Sequence, residues 1–259
     1  VIVLHIGGWH GGSIYDGDNS APQDLANAGF YTVVASYRLA PKNLITGQYP
    51  HDGTSLGIAS GRPPQQTDDV EAEVNALRTD PNCNGTVGIL GGSAGGSHAA
   101  FAALDTTDTG LTWPFWAGYK RPSFVACLSG AYDFSDRTDP TARFIQDVEN
   151  YTNTDSLLGQ WEVSPIANVP STYVPMYFIH SENDSQPPHQ QWDMFNALYQ
   201  AGAPTNMYQM WTIPDSDAHA FAYWDSPIYD TYPLSTSWLV KNRVIGYFQY
   251  FLQHGHTHF

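Results

Sequence analysis

Short runs of almost uninterrupted apolar and β-branched residues recur along the chain, each followed by a longer stretch with helical spacing of its apolar positions. The runs at 1–6, 32–36, 86–90, 124–129, 174–180 and 207–213 predict strands covered on both faces, because a half-exposed strand would alternate apolar with polar. The longer patterns predict helices near 21–28, 67–78, 93–104 and 190–201, with 241–254 closing the chain. Asp68, Asp69 and Glu71 fall in the first turn of the second helix, where negative charge suits the positive end of the dipole. Strands alternating with helices predict right-handed βαβ units and an α/β fold, a mostly parallel central sheet with helices on both faces. At 259 residues it is expected to be a single domain over 1–259.

Two inserts break the alternation. Residues 43–64, "NLITGQYPHDGTSLGIASGRPP", are rich in turn formers, and residues 133–169 carry aromatics, prolines and a short helical pattern. Both follow strand carboxyl ends, where open α/β sheets bind ligands, so both are expected to form the rim of a site or a reduced lid.

Charge narrows the partners. With 25 acidic against 10 basic residues and a net charge of −15, long-range repulsion disfavours nucleic acid and anionic membranes. No apolar run is long enough for a membrane-spanning helix, so insertion into a membrane is not expected. Cys83 and Cys127 are too few for a disulfide framework and are expected to be free thiols. Sequons at Asn84, Asn150 and Asn183 read as chance matches, and "HGHTHF" as a terminal tail and not a metal site. The chain opens on "VIVLHI" without a methionine; with few lysines and many Asn, Thr, Gln and Tyr, this points to a processed or truncated, extracellular or periplasmic protein.

The candidate chemistry sits at the strand ends. "GGSAGG", residues 91–96, places Ser93 among small residues between a strand and a helix, the G-x-S-x-G setting of a nucleophile held on a sharp elbow. A base must reach it from elsewhere. His219 in "PDSDAHAF" follows the last predicted strand on a loop; His5 and His98 suit structural roles instead. Asp184 in "YFIHSENDSQPP" is the preferred acid to hold the imidazole, with Glu182 a possible substitute and Asp215 or Asp217 too near His219 along the chain. Glycines in "HIGGWHGG" after the first strand would let the N–H groups of Gly7 and Gly8 face an oxyanion, with Ala94 N–H as a third donor. Trp9, Trp116, Tyr132, Trp161 and Trp192 are candidates for an aromatic substrate pocket.

In combination these segments resemble hormone-sensitive-lipase-like carboxylesterases of the α/β-hydrolase superfamily. "HIGGW" resembles their HGGG-W loop, "SYRLAP" their YRLAP segment, "GGSAGG" their elbow, "VSPIANV" with "IHSENDSQPP" their acid turn, and "DAHAF" their histidine loop. The resemblance implies the α/β-hydrolase fold, no cofactor, hydrolysis of small-molecule or polysaccharide-linked carboxylic esters, Ser93–Asp184–His219 as the triad, and Gly7, Gly8 and Ala94 as the oxyanion hole. Ile6 stands where the family loop has its first glycine, and the helical cap has no counterpart before Val1, which is closer to small bacterial acetyl and feruloyl esterases. The alternatives are an arylformamidase, a prolyl-oligopeptidase-like peptidase, whose elbow usually carries a bulky aromatic where Ala94 stands, and a hydrolase-fold binding protein without catalysis.

Overall fold

The computed structural model describes residues 1–15, 20–41, 61–104, 120–138, 140–170, 172–228 and 238–254. Six strands form one fully parallel sheet in the order β2-β1-β3-β4-β5-β6: β1 (Ile2–Leu4), β2 (Val33–Ala35), β3 (Gly88–Gly92), β4 (Phe124–Leu128), β5 (Met176–Ser181) and β6 (Tyr208–Ile213). Every residue of β1, β3, β4 and β5 is buried, as the unbroken apolar runs predict. Among the described residues seven α-helices accompany them: α1 (Ala21–Asn27), α2 (Gln65–Thr79), α3 (Ala94–Leu104), α4 (Ala142–Thr152), α5 (Leu157–Glu162), α6 (Gln190–Gln200) and α7 (Val240–His254). A two-stranded antiparallel ribbon, β7 (Pro227–Ile228) with β8 (Trp238–Leu239), was not foreseen; pairs this short carry no periodicity to read.

The period-2 geometry of a strand sends successive side chains into different cores. Ile89, Met176 and Phe178 pack with Val70, Val74, Ala103 and Met194 of α2, α3 and α6 on one face. Leu90, Tyr177 and Ile179 pack with Leu25, Val244 and Phe248 of α1 and α7 on the other. Helix α3 lies close against β3 and β4 because its sheet-facing positions are small; a Cβ on Gly96 would stand 3.2 Å from the Gly130 Cα.

The strand order reverses at β1. The connection through α1 runs outward to β2, and the next, through α2, returns across β1 to β3. The carboxyl ends of β1 and β3 therefore open a crevice at the topological switch point, the usual ligand position in such sheets. Helix α4, from the second insert, packs over that end. Its Phe144, Val148 and Tyr151 join Trp9, Ala94, Ala131 and Phe134 in a third apolar cluster under the crevice. The first insert lies outside the described residues except for 61–64, as does the terminal tail at 255–259. Both cysteines are free thiols, and Asn150 is buried, which removes it as a glycan acceptor. No described helix is long and apolar enough to cross a membrane.

Candidate active site

The elbow is built by close backbone approach. Ser93 takes φ +52°, a left-handed conformation unusual for a residue with a Cβ, and its N–H donates to Leu128 O at 2.7 Å. A Cβ on Gly91 would stand 2.1 Å from Gly95 O, and one on Gly95 2.6 Å from His5 O, so glycine is required at both. Ser93 is 8% exposed, just past β3 at the N-terminus of α3. Its side chain faces a cavity of about 400 Å³ that Gly7, Gly8 and His219 also line.

The histidine loop and the acid turn meet beside it. His219 Nδ1 donates to Asp184 Oδ1 at 2.8 Å, which leaves Nε2 as the ring nitrogen available for exchange with an alcohol. Asp184 also accepts from Ser129 Oγ at 2.6 Å and from the Gln186 N–H at 3.0 Å. Burial opposes its ionisation. The hydrogen bond and charge of His219, with His180 and Ser129, outweigh burial and hold the carboxyl below its ordinary pKa. His180 lies 3.6 Å from Asp184 Oδ2 without surface exposure; burial lowers its pKa to about 4 against the pull of Asp184, so it stays neutral beside the acid. Glu182 is not the acid: its carboxylate accepts from the Asp215 N–H at 2.9 Å.

The glycine loop after β1 takes its turns one position later than the motif suggests. Gly7, Gly8 and Trp9 have φ of +140°, +57° and +62°, while Ile6 is not among the positive-φ residues, so a β-branched residue fits there without strain. The loop is held from below: Trp9 O accepts from the Ala40 N–H at 2.8 Å and Gln66 Nε2 at 2.7 Å, and Gln66 in turn bonds His98 Nε2 at 2.8 Å. Tyr37 Oη donates to His5 O at 3.1 Å, and Arg38 forms a forked pair with Asp69 of α2. The "SYRLAP" segment thus braces the loop. His5 and His98 are structural, as their positions predict. Ala94 opens α3, so its N–H, next in the chain after Ser93, has no intrahelical acceptor.

The aromatic pocket does not form as expected. Trp9 lines the cavity, but its ring is 2% exposed, stacked on Tyr151 and edge-on to Phe134. Tyr132 is fully buried against Phe178 in the sheet core, and Trp161 and Trp192 stand exposed on α5 and α6 away from the cavity lining. Trp116 lies outside the described residues. An aromatic side chain names no direction along a sequence, which is why the four described positions could not be sorted. The lining instead includes Thr141, which caps α4, and Arg143, Phe144 and Asp147 within it, with His10 of the loop, none singled out by a motif. Ser129 in "CLSGAYDF" was also missed; a polar residue closing a buried strand was the available signal. Among the described residues one group could hold a metal ion, Asp136, His189 and Asp193. Asp136 and His189 pair directly there, tying the second insert to α6.

Comparison with known proteins places the chain. The prolyl oligopeptidase family profile matches residues 64–243, which include Ser93, Asp184 and His219 but not the glycine loop. A probable carboxylic ester hydrolase, LipM, of Mycobacterium tuberculosis is 25% identical over 190 residues, covering 71% of this chain and 41% of LipM. Esterase LipQ of the same organism is 31% identical over 138 residues, covering 51% of this chain and 32% of LipQ. The chain thus spans less than half the length of either relative. An acetyl ester-xyloside bifunctional hydrolase from Caldicellulosiruptor lactoaceticus superposes with a TM-score of 0.66 at 18% identity, covering 97% of this chain and 82% of that one, so the fold is shared. The match over well over half its length, with an α/β-hydrolase sheet to carry it, makes this chain a member of the prolyl oligopeptidase family.

Proposed function

We propose that the chain is a serine esterase that hydrolyses carboxylic esters of short acyl groups through an acyl-enzyme. The observation that carries this reading is the meeting of Ser93 and His219 in one cavity, with His219 anchored to a buried carboxylate on its far nitrogen. His219 Nε2 takes the Ser93 proton as the oxygen attacks the ester carbonyl, and Asp184 stabilises the imidazolium that results. The N–H groups of Gly7, Gly8 and Ala94 receive the oxyanion. Collapse expels the alcohol, which takes the proton back from His219; water then attacks the acyl-enzyme by the same route. None of these steps calls on a cofactor.

The names of the two relatives support an ester as substrate. A short acyl group is favoured over a hydroxycinnamoyl one because Tyr132, Trp161 and Trp192 supply no aromatic slot to the cavity. Family membership keeps peptide bonds as the second reading, since the same steps expel an amine. A fluorophosphonate probe followed by peptide mapping tests the proposal. Stoichiometric labelling at Ser93, with faster turnover of p-nitrophenyl acetate than of a dipeptide anilide, is the expected result. Failure of the folded protein to label would return the chain to a binding role, and faster anilide cleavage would make it a peptidase.

A further inference from the structure

Helix α4 brings an ion pair into the cavity beside the glycine loop. Thr141 caps it by accepting from the Phe144 N–H at 3.1 Å, and Phe144, Val148 and Tyr151 face the apolar cluster beneath. That orientation turns Arg143 and Asp147, one helical turn apart, toward the cavity, where Arg143 Nε donates to Asp147 Oδ2 at 2.8 Å. The other carboxylate oxygen lies 2.9 Å from His10 Nε2. A Cβ on Gly8 would fall 2.7 Å from Asp147 Oδ2, so the carboxylate rests directly against the loop that is to hold the oxyanion.

A negative charge there works against a developing oxyanion unless it is neutralised and has another use. Arg143 neutralises it through the Nε–Oδ2 pair, and the His10 ring lies against the other oxygen. We infer that Asp147, Arg143 and His10 form a subsite for the hydroxyl-bearing alcohol part of the ester, a sugar; the inference rests on the esterase reading above. The group is electrically balanced, so it has no preference for a charged ligand, and it presents carboxylate lone pairs beside guanidinium N–H groups. A hydroxyl donates to the first and accepts from the second, and neighbouring hydroxyls on a ring do both at once. A plain alkyl alcohol would strip water from the pair and return nothing. The cavity, at about 400 Å³, holds a single acetylated sugar ring.

The test compares kcat/KM for a methyl xyloside carrying one acetyl ester with kcat/KM for p-nitrophenyl acetate, in the wild type and in Asp147→Asn and Arg143→Met. The ratio of the two cancels general damage to the fold or to Ser93. A fall of at least fivefold in that ratio in either variant, through a raised KM for the xyloside, is the expected result. A smaller change in both overturns the subsite, as does a larger loss on a dipeptide anilide than on the xyloside. Binding of the acetylated xyloside to Ser93→Ala protein by calorimetry, weakened by Arg143→Met, gives a readout that needs no turnover; equal affinity overturns the inference. If the wild type turns over p-nitrophenyl acetate through Ser93 but the ratio holds, the subsite alone fails. If nothing depends on Ser93, the esterase reading fails with it.

Discussion

Ser129 Oγ donates to Asp184 Oδ2 at 2.6 Å and, with its free lone pairs, accepts from the Ala220 N–H at 3.0 Å. One hydroxyl thereby fixes both the acid and the residue next to His219. Ser129 takes φ +50° to do so, and its carbonyl accepts from Gln186 Nε2 at 2.7 Å, so the acid turn is bound to the end of β4 twice. Tyr223 Oη, 3.0 Å from the same hydroxyl, secures the histidine loop to Ile179 O of β5.

Ser129→Ala removes a charge-assisted donor from a buried carboxylate and leaves the Ala220 N–H without its partner. A loss of about 2 kcal/mol is expected, which reads as a roughly 30-fold drop in kcat/KM for p-nitrophenyl acetate. The drop should be steepest at low pH, because Asp184 loses one of the interactions that hold its pKa down. A pH–rate profile parallel to the wild type would reduce Ser129 to a packing role.

Acid stability should turn on two buried histidines. Burial lowers His98 to about 3, with His5 adding repulsion, and lowers His180 to about 4. Unfolding exposes both near an ordinary pKa of about 6.5, so the unfolded state binds protons that the folded state does not. Their stabilising effect is present above that value and is lost as pH falls toward 4. Urea titrations from pH 7 to pH 4 should show stability falling by several kcal/mol, and His98→Gln should flatten part of that slope.

Glu73 behaves in the opposite sense. Burial, with repulsion from Asp69, raises its pKa to about 8 against the Ser36 N–H, so the folded state holds a proton that the unfolded state releases above its ordinary value. Its contribution is present at acid pH and lost as pH rises through 8. Thermal melts at pH 9 should therefore favour Glu73→Gln over the wild type, and the difference should vanish at pH 5.

Much of this was legible in the residues. The six parallel strands, five of the helices and the convergence of Ser93, Asp184 and His219 at strand carboxyl ends follow from period, chain order and loop position. What escaped depends on direction and not on order. Tyr132, just before the second insert, turned inward and Trp161, within it, outward; the spacing of irregular segments does not say which. Arg143 and Asp147 are ordinary surface charges in the sequence, and only the apolar stripe Phe144, Val148 and Tyr151, once docked, aims them at the cavity. Ser129 carries no motif because its partners are 55 and 91 residues away.

Two glycine substitutions should separate need from accident. Gly246 on α7 is exposed, with nothing within 4 Å of an added Cβ, so Gly246→Ala should stabilise by about 0.5–1 kcal/mol. Gly91→Ala drives a methyl into the Gly95 carbonyl, forces the elbow apart and should cost both melting temperature and esterase activity. Differential scanning fluorimetry alongside the ester assay reads both.

The most direct test is turnover of p-nitrophenyl acetate by Ser93→Ala protein that melts as the wild type does. A rate lower by at least ~10³-fold is expected, because nucleophile and base act as a unit. Turnover equal to the wild type would contradict the assignment of Ser93 and, with it, the mechanism built on His219 and Asp184.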